Sequence, residues 1–305
     1  MERRAFLKLA GAGVATCSLL SAFAPTNTIA GKGGRVAMPE IHLFSKCLHF
    51  LDYDELASAS AGLGFDGLDL TVRPNGHVEP ENFRRDLPAA IKAINDAGIS
   101  CEMMVTGITG TRHPADFELL KLAHSLGVKS YRLGGLKYKA GVPAMESVKR
   151  YAVQLAELAE WNREIGITGM YQIHSGEWSF GASIWDIYLA TKDLNPDELG
   201  IQFDVRHATT EGGRNWPDAF RLVQAQIRTL AIKDFKWAIV DGKWTLVNTP
   251  IGEGMVDLKR HFRMLKDTGT LYPITLHVEH DLGGACLLYT SPSPRDKIHD
   301  LVFRL

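Results

Sequence analysis

Acidic, imidazole and ammonium side chains recur at the ends of four apolar runs in the second half of this sequence. The runs occupy residues 169–176, 200–207, 230–235 and 274–281, and each is typical of a buried parallel strand with a polar C-terminal end. In a barrel of alternating strands and helices, such ends converge on one mouth, where these barrels carry out their chemistry. The pattern therefore predicts an enzyme.

Two of these strand ends carry carboxylates that suit catalysis or metal binding. Asp204 and His207 form an Asp-x-x-His pair that fits a divalent ion; alternatively, Asp204 caps the following loop and His207 simply packs. Glu279 shares a predicted strand face with His277 and can be a metal ligand or a proton-transfer base. A salt bridge between Glu279 and Lys233 is the other interpretation, and both can hold.

The remaining two runs add an imidazole, an amide and an ammonium group. His174 shares one strand face with Gln172, which can hydrogen-bond a hydroxyl group or coordinate an ion weakly but cannot act as a base. Lys233 and Asp234 lie on opposite faces of their predicted strand. One of these two is therefore expected to point outward and to be structural.

Arginine and tryptophan residues near the strand ends are candidates for substrate binding. Arg73 follows the second predicted strand and Arg132 ends the fourth, where either can grip an anionic or polyhydroxyl substrate or instead brace a loop. Trp178 and Trp185 follow the fifth predicted strand, Trp216 the sixth and Trp237 the seventh. An aromatic ring at a barrel mouth suits stacking on a sugar, although simple burial explains most tryptophans.

The elements that must position these side chains alternate regularly between strand and helix, which predicts an α/β fold of the (β/α)8 TIM barrel type. An open doubly wound sheet is the alternative, but the first strand lacks the glycine-rich phosphate-binding pattern of that fold. Strands are predicted at residues 41–46, 65–72, 99–106, 130–133, 168–174, 200–205, 229–234 and 273–279, helices at 53–63, 81–97, 114–126, 144–165, 184–193, 217–226 and 256–268, and a hairpin at 237–248 that turns at Asp241-Gly242.

The composition is that of an ordinary globular protein. The chain has 305 residues, of which 45% are hydrophobic and 23% charged, and its formal net charge is -1. This near-neutral chain has no excess of positive charge that would attract nucleic acid or an anionic membrane. A small-molecule partner is therefore expected.

The first thirty residues resemble a twin-arginine export signal. Arg3 and Arg4 precede an apolar run rich in small residues from 9 to 23, and small residues before position 30 offer cleavage sites. The resemblance implies recognition by the Tat translocase, a periplasmic location, and no stable membrane insertion after cleavage. A single membrane anchor is the alternative interpretation.

The last twenty residues look foreign to the fold. Residues 286–296 match the in-frame translation of a transposase sequencing adaptor without a mismatch. Residues 286–305 are therefore expected to be an artefactual tail, and the barrel domain is expected to span 38–285. On this interpretation the last helix of the barrel is missing or replaced.

Together these residues make the chain resemble the xylose isomerase-like TIM-barrel superfamily of sugar phosphate isomerases and epimerases. In its epimerases, a metal ion is held by a Glu on strand five, an Asp on strand six, a His on strand seven and a Glu on strand eight. Asp204 and Glu279 match this pattern, whereas Gln172 and Ala231 stand at the other two positions. The resemblance is carried by Gly64-Phe-Asp-Gly67, Asp204-x-x-His207, Ile232-Lys-Asp234, Gly252-Glu-Gly254 and Glu279.

The resemblance implies a sugar or cyclitol isomerase or epimerase, or a related lyase, in which Glu279 is the base and Lys233 stabilises an enediolate oxyanion. We hypothesise that His174 and His207 rebuild a divalent site for Mn, Mg, Zn or Co with Asp204 and Glu279, or act as proton donors. A non-catalytic sugar-binding protein is the alternative. A metal-dependent hydrolase of the endonuclease IV type is third, disfavoured by the charge and the number of ligands.

Overall fold

Eight parallel strands pair edge to edge into a closed barrel in the computed structural model, which describes residues 39–280. The order around the barrel is β1-β10-β7-β6-β5-β4-β3-β2, and the remaining two strands, β8 and β9, form a separate hairpin. This confirms the predicted (β/α)8 fold. The strands are β1 (Ile41–Phe44), β2 (Gly67–Val72), β3 (Ser100–Thr106), β4 (Ser130–Arg132), β5 (Thr168–Gln172), β6 (Leu199–Asp204), β7 (Ile227–Ile232), β8 (Asp234–Val240), β9 (Lys243–Thr249) and β10 (Ile274–Leu276).

Helices follow the barrel strands, and the first of them begins as predicted: Asp52 caps it in a capping box with Glu55. One helix was not predicted, because α6 begins directly after Asp204, where a loop was expected. No helix of residues 39–280 is long and apolar enough to cross a membrane. The helices are α1 (Tyr53–Gly62), α2 (Phe83–Asp96), α3 (Pro114–Ser125), α4 (Ala144–Ile165), α5 (Trp185–Thr191), α6 (Val205–Gly212), α7 (Trp216–Val223) and α8 (Leu258–Thr268).

The strands are buried on both faces, which is why they form continuous apolar runs in the sequence. Leu70 and Phe203 belong to the apolar core and have no exposed surface. The barrel also buries polar side chains that bond to each other across strands: Thr275 Oγ1 donates to Asp69 Oδ2 at 3.0 Å. Burial raises the pKa of Asp69, although the charge of Arg132 opposes the shift.

The predicted hairpin exists and is longer than expected. Strands β8 and β9 pair in antiparallel register over their whole length, and the turn lies at Asp241-Gly242 with φ of 50° and 74°. Positive φ at both central residues is typical of the tight turns that join twisted strands. The barrel strand β7 ends at Ile232 and the hairpin strand β8 starts at Asp234. Lys233 is the single residue between the two strands.

The last barrel strand is shorter than predicted. It was expected over residues 273–279, but β10 ends at Leu276, so Glu279 lies beyond the strand. The His277 N–H still donates to the Ile232 carbonyl at 3.0 Å, which keeps this segment beside the end of β7. Glu279 therefore reaches the rim from a loop rather than from a strand.

Asp234 is the outward, structural member of the Lys233-Asp234 pair. Its carboxylate accepts four backbone N–H groups, at 2.8 to 3.1 Å, from Phe235, Gly252, Gly254 and Val256. A Cβ at Gly254 would lie 2.1 Å from Asp234 Oδ1, so only glycine fits there. This explains physically why Gly252-Glu-Gly254 follows the hairpin.

Three expectations concern segments outside residues 39–280. They are the twin-arginine signal in residues 1–30, the artefactual tail in 286–305, and the loss of the last helix. They stay predictions, as do the domain limits at 38 and 285.

Replacing Asp234 by alanine is expected to lower the free energy of unfolding by about 3 kcal/mol or more, because four backbone donors lose a shared charged acceptor. Urea denaturation measures the change. Asp218→Ala is the control, since Asp218 forms only an exposed ion pair with Arg221 and should matter little. Equal destabilisation by the two substitutions would contradict the anchoring role.

Candidate active site at the barrel mouth

A buried ammonium group lies between two carboxylates at the ends of three neighbouring barrel strands. Lys233 Nζ is 3.2 Å from Asp204 Oδ2 and 3.4 Å from Glu279 Oε1. The side chains of Lys233 and Asp204 are 4% and 0% exposed, whereas that of Glu279 is 25% exposed. Glu279 is thus the carboxylate of this ion triad that a substrate can reach.

Both carboxylates of the triad are ionised at neutral pH. Burial alone would raise the pKa of Asp204, but the Lys233 ammonium, together with His207, His277 and the His207 backbone N–H, outweighs burial and holds that pKa below its usual range. Burial likewise opposes ionisation of Glu279, yet the neighbouring His277 and Lys233 hold its pKa below the usual range. Glu279 can accept a proton, as predicted for a base, although a low pKa makes it a weak one.

Gln172 and Arg132 extend the triad toward β4. Gln172 Nε2 donates to Asp204 Oδ2 at 2.8 Å, and Gln172 Oε1 accepts a hydrogen bond from Arg132 Nη1. These two partners fix the orientation of the amide, because its NH2 group must face the carboxylate and its oxygen the guanidinium. A glutamate at position 172 would instead place a second negative charge against Asp204.

His207 occupies the first turn of α6, and its ring is held in one tautomer. Asp204 Oδ1 caps the helix by accepting the His207 backbone N–H at 3.1 Å. His207 Nδ1 accepts from the Ser175 backbone N–H and from Arg206 Nη1, both at 3.0 Å. The proton of the neutral ring must therefore be on Nε2, which lies 3.7 Å from Asp204 Oδ2. Burial lowers the pKa of His207 well below its usual value.

His174 is held in the opposite tautomer. Its Nδ1 lies 3.0 Å from the Gln172 carbonyl oxygen, which can only accept, so Nδ1 carries the proton and Nε2 a lone pair. The ring lies 4.8 Å from that of His207. Burial, reinforced by the charges of Arg132 and Lys233, lowers the pKa of His174 to about 4. At neutral pH His174 is therefore an acceptor rather than a proton donor through Nε2.

The two predicted substrate-binding arginines converge on one aromatic ring. The guanidinium carbons of Arg73 and Arg132 lie 5.9 and 5.3 Å from the ring centroid of Phe44, and His277 stacks on the same ring at 4.3 Å. Burial lowers the pKa of Arg132 to about 10, which leaves it charged. Phe44 was not predicted, although it ends β1 and the strand-end rule applied to the others would have found it.

Trp178 lies in the loop after β5 with 49% of its surface exposed. Its φ of +64° is unusual for a bulky residue, and its carbonyl accepts the Tyr138 N–H at 2.8 Å. Trp178 therefore sits where the loops after β4 and β5 meet. Stacking on a substrate stays a prediction.

Arg206 and Asn248 join the hairpin to the site and were missed in the sequence. Arg206 Nη2 donates to Asn248 Oδ1 at 2.8 Å, and Asn248 Nδ2 donates to the Glu279 carbonyl at 3.1 Å. The segment that carries Glu279 is thereby tied to β9 and α6. No local pattern marks these residues, because their roles depend on where the hairpin packs.

The four predicted metal ligands meet in one cluster but do not fit a divalent ion. Asp204 Oδ2 faces the Lys233 ammonium. His207 carries a proton on Nε2, and its Nδ1 already accepts hydrogen bonds from Ser175 and Arg206. Among residues 39–280 no three His, Cys, Asp or Glu side chains are arranged to hold a metal. In this arrangement the hypothesis that His174 and His207 rebuild a divalent site lacks the donor geometry it needs.

A model of the family described as xylose isomerase-like TIM barrel matches residues 57–296 of the chain. The chain belongs to this family. The matched region overlaps residues 286–296, which are predicted to be foreign and which lie outside the described residues. A search of curated proteins found no significant match.

Solved structures share the fold at low sequence identity. A probable 3-DHS dehydratase, AsbF, from Bacillus anthracis has a TM-score of 0.63 at 15% identity, covering 87% of this chain and 99% of that one. A D-allulose 3-epimerase from Methylomonas sp., in complex with D-allulose, gives 0.59 at 13%, covering 87% and 96%. A xylose isomerase-like TIM barrel protein from Mycobacterium smegmatis, in complex with magnesium, gives 0.56 at 15%, covering 83% and 88%. At such low sequence identities, the similarity to these structures shows that the fold is shared.

The ring of His174 is expected to remain neutral into mildly acidic solution. Followed through its ring proton–carbon correlation in an NMR titration, it should have a midpoint near pH 4, below the ordinary histidine value of about 6.5. The loss of this signal in His174→Asn assigns it, and the urea-unfolded protein supplies the unperturbed reference. A midpoint near the reference value in the folded protein would contradict the buried, cation-flanked environment.

Proposed function

We propose that the protein catalyses proton transfer at a carbon atom of a sugar or cyclitol, as an isomerase or epimerase or as a related lyase. The observation that carries this proposal is the pairing of Glu279 with Lys233, a partly exposed carboxylate 3.4 Å from a buried ammonium. A base beside a fixed cation is what removal of a proton next to a carbonyl group requires. Membership of a family whose neighbours include a sugar epimerase and a dehydratase supports it.

The residues of the triad have distinct parts in this reaction. Glu279 takes the proton from carbon, and the electron pair moves to the neighbouring carbonyl oxygen to form an enediolate. The Lys233 ammonium stabilises the negative charge on that oxygen. Asp204 is fully buried and hydrogen-bonded, so it holds Lys233 in place rather than reacting.

Return of the proton completes the reaction. Glu279 can return it to the adjacent carbon, which isomerises the sugar, and His174 Nε2 can exchange protons with a substrate hydroxyl because it carries a lone pair. Elimination of a hydroxyl group from the same enediolate would make the protein a lyase. The shared first step is removal of the carbon-bound proton.

Substrate binding is proposed for three of the four side chains predicted to contact the substrate. Arg73 and Arg132, gathered on Phe44, suit an anionic or polyhydroxyl ligand, and Trp178 offers a half-exposed ring at the rim. Gln172 is already engaged by Arg132 and Asp204, so its part is to position these groups.

No step is assigned to a divalent ion, because the residues present do not fit one. The reaction is placed in the periplasm on the strength of the twin-arginine signal predicted in residues 1–30. Export through the Tat translocase is part of this proposal.

A non-catalytic sugar-binding protein is the second candidate. Two features favour it: the lowered pKa of Glu279 weakens it as a base, and Gln172 stands where the epimerase pattern has its strand-five glutamate. A binder would retain Arg73, Arg132 and Trp178 as contacts without proton transfer.

Incubation with a panel of sugars, sugar acids and cyclitols in D₂O distinguishes the two candidates. The protein should introduce deuterium at a substrate carbon, detected by NMR, and Glu279→Gln should slow this exchange by about 10²- to 10⁴-fold. Glu102→Gln is a matched control, since Glu102 also pairs with a lysine and is 27% exposed. Saturable binding of a panel member without exchange would reject the enzyme and favour the binder.

A further inference from the structure

We propose that the Lys233 ammonium is a built-in cation that takes the place of a divalent metal ion at the barrel mouth, so that this member of the family has a metal-independent site. The inference rests on the geometry around Lys233 and holds whichever function is correct. Lys233 Nζ lies 3.2 Å from Asp204 Oδ2 and 3.4 Å from Glu279 Oε1, the two carboxylates that match the family's metal ligands.

The position of the ammonium opposes the binding of a divalent ion by these carboxylates. Metal–oxygen bonds are about 2.1 Å long, so an ion on either oxygen would stand within about 5.5 Å of Lys233 Nζ. Lys233 is only 3% exposed and so cannot withdraw its charge into solvent without moving its side chain. A divalent ion would therefore be repelled by the ammonium and would compete with it for the same carboxylate oxygens.

The neighbouring side chains fit an ammonium and not a metal. Gln172 turns its NH2 group, which cannot ligate a metal, toward Asp204, and Arg132 holds the amide in that orientation. The guanidinium adds a further positive charge at the same end of the network. Ala231, which pairs with Asp204 across β6 and β7, offers no ligand at the strand-seven position.

The two histidines do not supply the missing ligands. His207 Nδ1 accepts from Ser175 and Arg206, so Nε2 carries the ring proton, 3.7 Å from Asp204 Oδ2, and has no lone pair to offer a metal ion. His174 Nε2 alone keeps a lone pair, and one imidazole is too few for a site that already contains an ammonium. The residues at positions 172 and 231, the two departures from the family pattern, thus suit an ammonium at position 233 better than a metal ion.

Removing the ammonium should convert the pair of carboxylates into a metal site. Lys233→Met keeps the length of the side chain but leaves Asp204 and Glu279 as an uncompensated buried pair, which attracts divalent cations. Adding Gln172→Glu supplies a third carboxylate. Lys233→Arg keeps the positive charge and should bind divalent ions no better than the unmodified protein does.

The test is titration of the purified protein with Mn²⁺, read by the loss of the free-ion EPR signal. The unmodified protein and Lys233→Arg should show no saturable site up to about 1 mM, and EDTA should leave the melting temperature unchanged. Lys233→Met should bind at least about tenfold more tightly, Lys233→Met/Gln172→Glu more tightly still, and Asp204→Asn should abolish the gain. Lys129→Met is the control for loss of a lysine, because Lys129 pairs with Glu102 at the protein surface.

Stoichiometric Mn²⁺ binding by the unmodified protein at micromolar concentration, lost in Asp204→Asn, would overturn the proposal. If Lys233→Met fails to fold, as shown by circular dichroism, the unmodified protein and Lys233→Arg still decide the question. Deuterium exchange at a sugar carbon is a separate readout, so a failure of the proposed reaction would leave this result intact.

Discussion

The ion triad of Asp204, Lys233 and Glu279 is the interaction on which the barrel mouth depends. Its members come from the ends of β6 and β7 and from the segment after β10, which lie together because these three strands are consecutive and parallel in the barrel. Two carboxylates can remain ionised in this buried place because an ammonium lies between them. Loss of Lys233 would leave both carboxylates without their shared cation, whereas loss of either carboxylate would leave Lys233 with one partner.

The triad also explains the side chains around it. Asp204 divides its oxygens between the α6 N-terminus and the Gln172 amide, so a single carboxylate positions both His207 and the network that leads to Arg132. The epimerase pattern has glutamate at position 172. Glutamine suits this site because its NH2 group donates a hydrogen bond to Asp204, which a glutamate carboxylate could not do. The departure from the family pattern is coordinated, because each altered position suits an ammonium at the centre.

The barrel and most of the site could be predicted because strand ends in this fold share one location. That rule identified Asp204, Lys233 and Glu279 before their distances were known, and the structure brings them together. The strand limits were predicted less accurately. Strand β7 ends before Asp234, whose carboxylate anchors the start of the hairpin, and β10 ends before Glu279, which lies in a loop. The sequence does not predict helix α6, because Asp204, the residue that caps it, also fits a metal ligand or the cap of a loop. Arg206 and Asn248 act through tertiary contacts that no local pattern encodes.

A crystal structure of the protein grown with Mn²⁺, with data collected at the manganese absorption edge, tests the central claim most directly. The account predicts no anomalous peak at the mouth and Lys233 Nζ within hydrogen-bonding or ion-pairing distance of both Asp204 and Glu279. An anomalous peak bonded to these carboxylates, with the Lys233 side chain displaced, would contradict it.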